Sequence, residues 1–314
     1  MQIFVSGWSL RSTIRRKKLR LRELPRFVRT NGFRGLELAD RLLSGYDEVA
    51  LEELGRSCAD AGCAFVLDVN SDLTRAREAD RRSEIEHVRR MLELGHALRA
   101  RAVRICLGGQ SFSIHRLLLG AGRATASGKN RGAEVLPMMR RFPSVLFSSA
   151  LTLRLAHAWR TRRSSRVARQ SDKSERAVAA LSTVVPLLSS FRIRLAIENH
   201  WGITSQPENI VRIVRAVDSE LVGTCPDFGN FPGDVDRYAG LERLASRALH
   251  VHAPSARFDH EGEERSIDYG RCLRLLRDRG YDGAITVEYN GGGDDLEGCL
   301  RTRDLLLRHA DSPG

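Results

Sequence analysis

The chain has 314 residues, 42% hydrophobic and 29% charged, with 27 Gly and 9 Pro. That is ample apolar material for a core, and it excludes a collagen-like, disordered or small disulfide-stapled protein. The net charge of +12 is local, because residues 110–173 hold 13 Lys or Arg against 2 acids and residues 11–29 hold 9 against 1. A basic surface confined to two patches weighs against nucleic acid as the partner. Six cysteines, Cys58, Cys63, Cys106, Cys225, Cys272 and Cys299, form no C-x-x-C pair, which points to reduced thiols in a reducing compartment. MQIFVSGWSL lacks a basic leader, and no apolar run nears about 18 residues, so a cytoplasmic protein without a transmembrane segment is expected.

Short apolar runs alternate along the chain with longer amphipathic stretches, the pattern of repeated βα units around a parallel sheet. In chain order the strand candidates are QIFVS from Gln2, GLEL from Gly35, FVLDVN from Phe65, AVRICLG from Ala102, IRLAIEN from Ile193, LVGTCPD from Leu221, ALHVHAP from Ala248 and AITVEYN from Ala284. The helices that follow them are expected at 23–30, 47–60, 80–98, 174–190, 207–217, 234–245, 268–279 and 295–309. Several of these open on Asp or Ser and close near Gly, as Asp268 and Gly280 do, which suits capping at both ends.

Eight pairs in strict alternation predict a (β/α)8 TIM barrel within α/β. Residues 111–172 break the rhythm as a long basic insertion after strand 4, and the other 252 or so residues match the usual barrel length. A single domain over 1–314 with one insertion is expected. The insertion would leave the mouth where such barrels carry their chemistry, so it reads as a lid or a disordered segment.

Polar residues gather at the ends of strands 5 to 8. Glu198 ends LAIEN, Asp227 ends TCPD, His252 lies in HVHAP and Glu288 in TVEY. Side chains alternate faces along a strand, so Ala196 with Glu198, Cys225 with Asp227, His250 with His252 and Thr286 with Glu288 each share a face. Three carboxylates and an imidazole thus converge on one rim. Buried carboxylates are costly unless paired or metal-bound, and none of the four lysines falls in a predicted strand. One divalent cation satisfies the set: three oxygens and one nitrogen suit Mn²⁺, Mg²⁺ or Co²⁺, with Zn²⁺ also able to bind.

The segments IENHWG, GTCPDFGNFPGD, HVHAPSARFDHEGEERSIDYG and GAITVEYNGGGDD, with the opening SGWSL and the strand-2 stretch GFRGLEL, resemble the xylose isomerase-like barrel superfamily, the sugar phosphate isomerase/epimerase family. The resemblance implies one metal on Glu198, Asp227, His252 and Glu288, with the two glutamates also moving protons. It departs at Asn230, where the common pattern has His three residues after the Asp, so that a usual metal or substrate contact is changed.

A metal chelated by a carbonyl and its neighbouring hydroxyl acidifies the adjacent C–H, and flanking carboxylates can remove and return the proton. The expected activity is isomerisation or epimerisation of a sugar or polyol through an enediolate, with Glu198 and Glu288 catalytic. A metal-dependent dehydratase or lyase of keto-sugars or inositols is the alternative; an apurinic endonuclease and a non-catalytic binding barrel rank below it. Substrate-binding candidates are His200, Asn230, Arg257, Trp8, Trp201 and Glu37, the last as a hydrogen-bond partner across the mouth. The GGGDD turn invites a phosphate, but Asp294 and Asp295 repel one, which favours an unphosphorylated carbohydrate. A homo-oligomer is left open.

Overall fold

The computed structural model describes residues 1–108 and 166–310, the side chains of 166–171 apart. Eight strands follow one another in one parallel sheet: β1 Gln2–Ser6, β2 Gly35–Ala39, β3 Ala64–Ser71, β4 Ala102–Leu107, β5 Arg194–Glu198, β6 Val222–Cys225, β7 Val251–Ser255 and β8 Ala284–Tyr289. β1 pairs with both β2 and β8, which bends the sheet into a barrel. The wall closes between β6 and β7 through isolated bridges only, Thr224 with Ala248 and Asp227 with His252. There Thr224 N–H donates to Arg247 O at 2.8 Å, Leu249 N–H to Thr224 O at 2.9 Å and His252 N–H to Pro226 O at 2.9 Å.

Helices cover the outside: α1 Arg11–Arg16, α2 Leu24–Thr30, α3 Asp40–Leu43, α4 Glu48–Asp60, α5 Glu78–Ala97, α6 Arg166–Phe191, α7 Pro207–Val217, α8 Arg237–Ala245, α9 Tyr269–Asp278 and α10 Asp295–Ala310. Three of them start with the kind of side-chain capping expected of the sequence. The side chains of Asp47, Asp236 and Asp268 accept from Ala50 N, Tyr238 and Ala239 N, and Arg271 N at the heads of α4, α8 and α9, satisfying amides that have no partner within the helix. At the far end of α9, Gly280 takes a positive φ of 74°, the left-handed stop that glycine adopts without strain.

Two features depart from the sequence-based expectation. The basic stretch after β1 forms α1, which periodicity alone does not mark; it is held from outside, because Asp295 accepts from Ser12 N, Thr13 N and the Thr13 hydroxyl. The helix expected at 174–190 begins at Arg166. The greater part of the expected insertion, with its lid reading, lies outside the described residues. Among the described residues no helix is long and apolar enough to cross a membrane.

Both faces of the strands are buried, outward residues such as Val103 and Ile105 against the helices and inward ones in the barrel. The β6–β7 seam leaves no room for added volume at Gly223. A Cβ on Gly223 would lie 2.4 Å from Arg247 O and 2.6 Å from Leu249 Cγ. Gly223→Ala is therefore expected to cost about 1–3 kcal/mol, measured as a lower urea midpoint with an unchanged slope.

Candidate active site at the C-terminal mouth of the barrel

Strand parity places the chemistry. Glu198, Asp227 and His252 are completely buried at the ends of neighbouring strands, and Glu288 is 18% exposed toward the mouth. His252 Nδ1 lies 3.3 Å from Glu198 Oε1 and 3.4 Å from Glu288 Oε1. Asp227 Oδ1 accepts from the backbone N–H of Gly229 and of Asn230, each at 2.7 Å, while its Oδ2 is buried without a hydrogen-bond partner among the described residues. Asn199 brackets the end of β6: its Oδ1 accepts from Asp227 N at 2.6 Å and its Nδ2 donates to Asp227 O at 3.0 Å. Sequence reasoning passed over Asn199, although its position directly after a strand-end glutamate was the available signal.

Beneath this rim lies a second polar layer. Glu37 Oε2 accepts from Thr286 Oγ1 at 2.9 Å and lies 3.1 Å from the Nε2 atoms of both His250 and His252. Glu37 thus supports His252 from below, deeper than a contact across the mouth. Arg104 rises from the middle of β4, 6% exposed, with NH1 2.9 Å from both Glu198 Oε2 and Asp68 Oδ1 and Nε 3.7 Å from Glu37 Oε1. The compensating cation is thus an arginine within a strand, where a count of lysines does not find it. Its signal was parity: Arg104 and Cys106 share a face opposite Val103 and Ile105, and a charge in a strand buried on both faces has only the barrel interior to enter.

These neighbours set the protonation states. Burial would raise Glu198, but the Arg104 charge, with His200 and His252, holds it well below the usual carboxylate range. Burial raises Glu288, and the Glu198 charge adds to that shift against the opposing pull of His252. Asp227 is pushed up by burial and by the charges of Glu198 and Glu288. Desolvation disfavours a charged His252, yet Cys225, Glu37, Glu288 and Glu198 together hold it well above an ordinary histidine. Asp68 is raised to about 7 by burial despite Arg104.

The other predicted residues lie at differing distances from this centre. Asn230 Nδ2 donates to Glu198 Oε1 at 3.3 Å, so the residue that replaces the usual His touches the carboxylate cluster directly. His200 packs against Trp201 with the rings tilted by 47° and their centroids 3.7 Å apart, and its pKa is lowered to about 4, chiefly by burial. Trp201 is 43% exposed. Trp8 carries two guanidinium groups over its ring, those of Arg11 and Arg41, at 4.9 and 4.7 Å from the centroid. Arg257 is exposed in the loop after β7.

The donor set fits a divalent cation. Glu198, Asp227 and His252 each offer a ligand atom within 4.8 Å of the others, and two of the atoms facing that point, Asp227 Oδ2 and His252 Nδ1, lack hydrogen-bond partners among the described residues. Such buried atoms call for a partner. Glu37, His250 and His252 also cluster, but there Glu37 Oε2 already has three close neighbours.

A family model described as a xylose isomerase-like TIM barrel matches residues 149–308, just over half of the chain. The chain belongs to that family. No curated protein sequence matches it, while many solved structures share the fold. One is a D-tagatose 3-epimerase-like protein, with TM-score 0.65 and 17% identity over 99% of this chain and 97% of that one. A second is D-psicose 3-epimerase from Clostridium cellulolyticum H10, at 0.68 and 12% over 99% and 100%. A third is the IOLI protein with a bound zinc atom, at 0.66 and 13% over 99% and 100%. At these identities the likeness concerns the fold of the xylose isomerase-like barrel.

Arg104 faces three carboxylates and its removal strands them. Arg104→Met is expected to destabilise the metal-free protein by about 3–5 kcal/mol, read by urea denaturation. Arg104→Lys should recover only part of this, because an ammonium cannot bridge Glu198, Asp68 and Glu37 as a planar fork does.

Proposed function

We propose that the protein is a divalent-metal-dependent isomerase or epimerase of a sugar or polyol, acting by proton transfer next to a carbonyl. The observation that carries this reading is the convergence of Glu198, Asp227, His252 and Glu288, with Asp227 Oδ2 buried and without a hydrogen-bond partner among the described residues. The sugar epimerases among the structural relatives, and the zinc atom of the IOLI protein, support it.

Glu198, Asp227, His252 and Glu288 would hold the cation, with Mn²⁺, Mg²⁺ or Co²⁺ favoured by three oxygen donors and Zn²⁺ also accommodated. When bound, the cation polarises the substrate carbonyl and acidifies the neighbouring C–H. The chain's own residues then divide the work unequally. Glu198 is tied down on both oxygens, by Arg104 and Cys106 on Oε2 and by Asn230 and His252 on Oε1. Glu288 has one close charged neighbour, His252, and the greater exposure. Its raised pKa also makes it the better proton acceptor, so Glu288 takes the proton and Glu198 serves the opposite face of the enediolate. Asn199 keeps Asp227 in place, and Glu37 holds His252 Nε2 so that Nδ1 faces the carboxylates.

Two measurements test this. Purified protein equilibrated with Mn²⁺ should carry about one ion per chain by elemental analysis, and Asp227→Asn and Glu198→Gln should carry little. Because the ligands bind cations only when deprotonated and His252 is held protonated without one, Mn²⁺ affinity should fall as the pH is lowered through neutrality. A folded wild type that takes up none of the four metals overturns the reading.

The second measurement is exchange of the carbon-bound proton beside the carbonyl in D₂O, followed by NMR over a panel of ketoses with the Mn²⁺-loaded protein. Exchange without loss of water supports isomerase or epimerase chemistry, and Glu288→Gln should slow it about 10²–10⁴-fold. Loss of water from the same substrates would instead identify the dehydratase.

A further inference from the structure

The four residues proposed to hold the cation come from β5 to β8, one half of the ring. A sugar bound there by its carbonyl end extends over the other half, β1 to β4. The acids on that side are committed: Asp40 to His87 Nε2 at 2.9 Å and to its neighbour's backbone N–H, and Asp72 to Arg75 at 3.2 Å and to Thr74. Asp68 is taken up by Arg104.

Arg41 stands apart. It follows the C-terminal end of β2, and its side chain is half-buried against Trp8. Among the described residues its guanidinium has no carboxylate within ion-pair distance, and its Nε is buried without a hydrogen-bond partner. Arg41 leaves the C-terminal end of β2 and lies over Trp8, which leaves the same end of β1, so both stand on the rim that carries the carboxylates. The Arg41 Cζ lies 4.7 Å from the Trp8 ring centroid, and Arg11, whose NH1 donates to Trp8 O at 2.9 Å, lies over the same ring. A preorganised guanidinium lacking an anion is a site for carboxylate or phosphate oxygens.

The place where barrels often bind phosphate, after the last strand, is closed to it here. Asp295 is spent on the head of α1, and Asp294 caps α10 at Leu296 N and pairs with Arg16 at 2.8 Å. Two carboxylates thus front that turn, whereas on the β1–β2 side an anion meets Arg41.

We propose that Arg41, seated on the Trp8 ring that Arg11 also touches, binds the anionic end of an acidic sugar, a carboxylate or a phosphate remote from Glu198, Asp227, His252 and Glu288. This rests on the metal-dependent sugar reading above and narrows its substrate class to anionic carbohydrates.

The test is calorimetric binding to the Mn²⁺-loaded full chain of three probes with the same ketose skeleton: D-fructose, D-fructuronate and D-fructose 6-phosphate. In the wild type at least one anionic probe should bind about tenfold or more tighter than D-fructose, and raised salt should weaken that probe alone. The tighter of the two tells carboxylate from phosphate. Arg41→Gln should remove the advantage and leave the D-fructose affinity within about twofold, whereas Arg41→Lys should keep part of it. Equal affinity for all three probes in the wild type overturns the subsite, as does an equal loss for all three in Arg41→Gln. In either case normal Mn²⁺ uptake leaves the metal reading standing, whereas absence of uptake overturns both.

Discussion

The burial of several carboxylates in one barrel mouth is the constraint on which the rest of the structure depends. Glu37, Glu198 and Asp227 are almost wholly removed from water, and Asp68 and Glu288 nearly so. Charges so placed cost several kcal/mol each unless countered. The protein counters them in two layers. Arg104 and the two histidines hold the lower one, where nearly every oxygen has a neighbour. In the upper one His252 Nδ1 meets Glu198 and Glu288 at 3.3 and 3.4 Å, and Asp227 Oδ2 has no hydrogen-bond partner among the described residues.

The two layers share residues, so the lower sets the properties of the upper. Arg104 reaches up to Glu198, and Glu37 reaches up to His252. A guanidinium on one glutamate and none on the other turns a pair of like residues into unlike ones, a strong acid and a weaker one, without any change of residue type. The same economy appears at Asn199, which uses both ends of one amide to fix the backbone of the next strand.

Much of this was legible in the sequence because a barrel strand makes parity and position speak together. An apolar run that ends in Glu, Asp or His can only be delivering that side chain to the mouth, so eight strands, their order and the four convergent residues followed from pattern. Arg104 was not read because a lone arginine inside AVRICL resembles an outward-facing surface residue until both faces of the strand are known to be covered. The helix Arg11–Arg16 escaped for a different reason: its support comes from Asp295, nearly the whole chain away, and no local window contains both. Trp8 lies in the turn after β1 and Arg41 in the single short turn of helix α3 after β2, segments too brief for side-chain direction to show a period.

The seam between β6 and β7 gives the site a mechanical side. Asp227 and His252 face each other across the thinnest part of the wall, where isolated bridges replace a continuous ladder. An ion gripped by both would act as a rivet, drawing together the two strand ends that the backbone leaves loosely stitched.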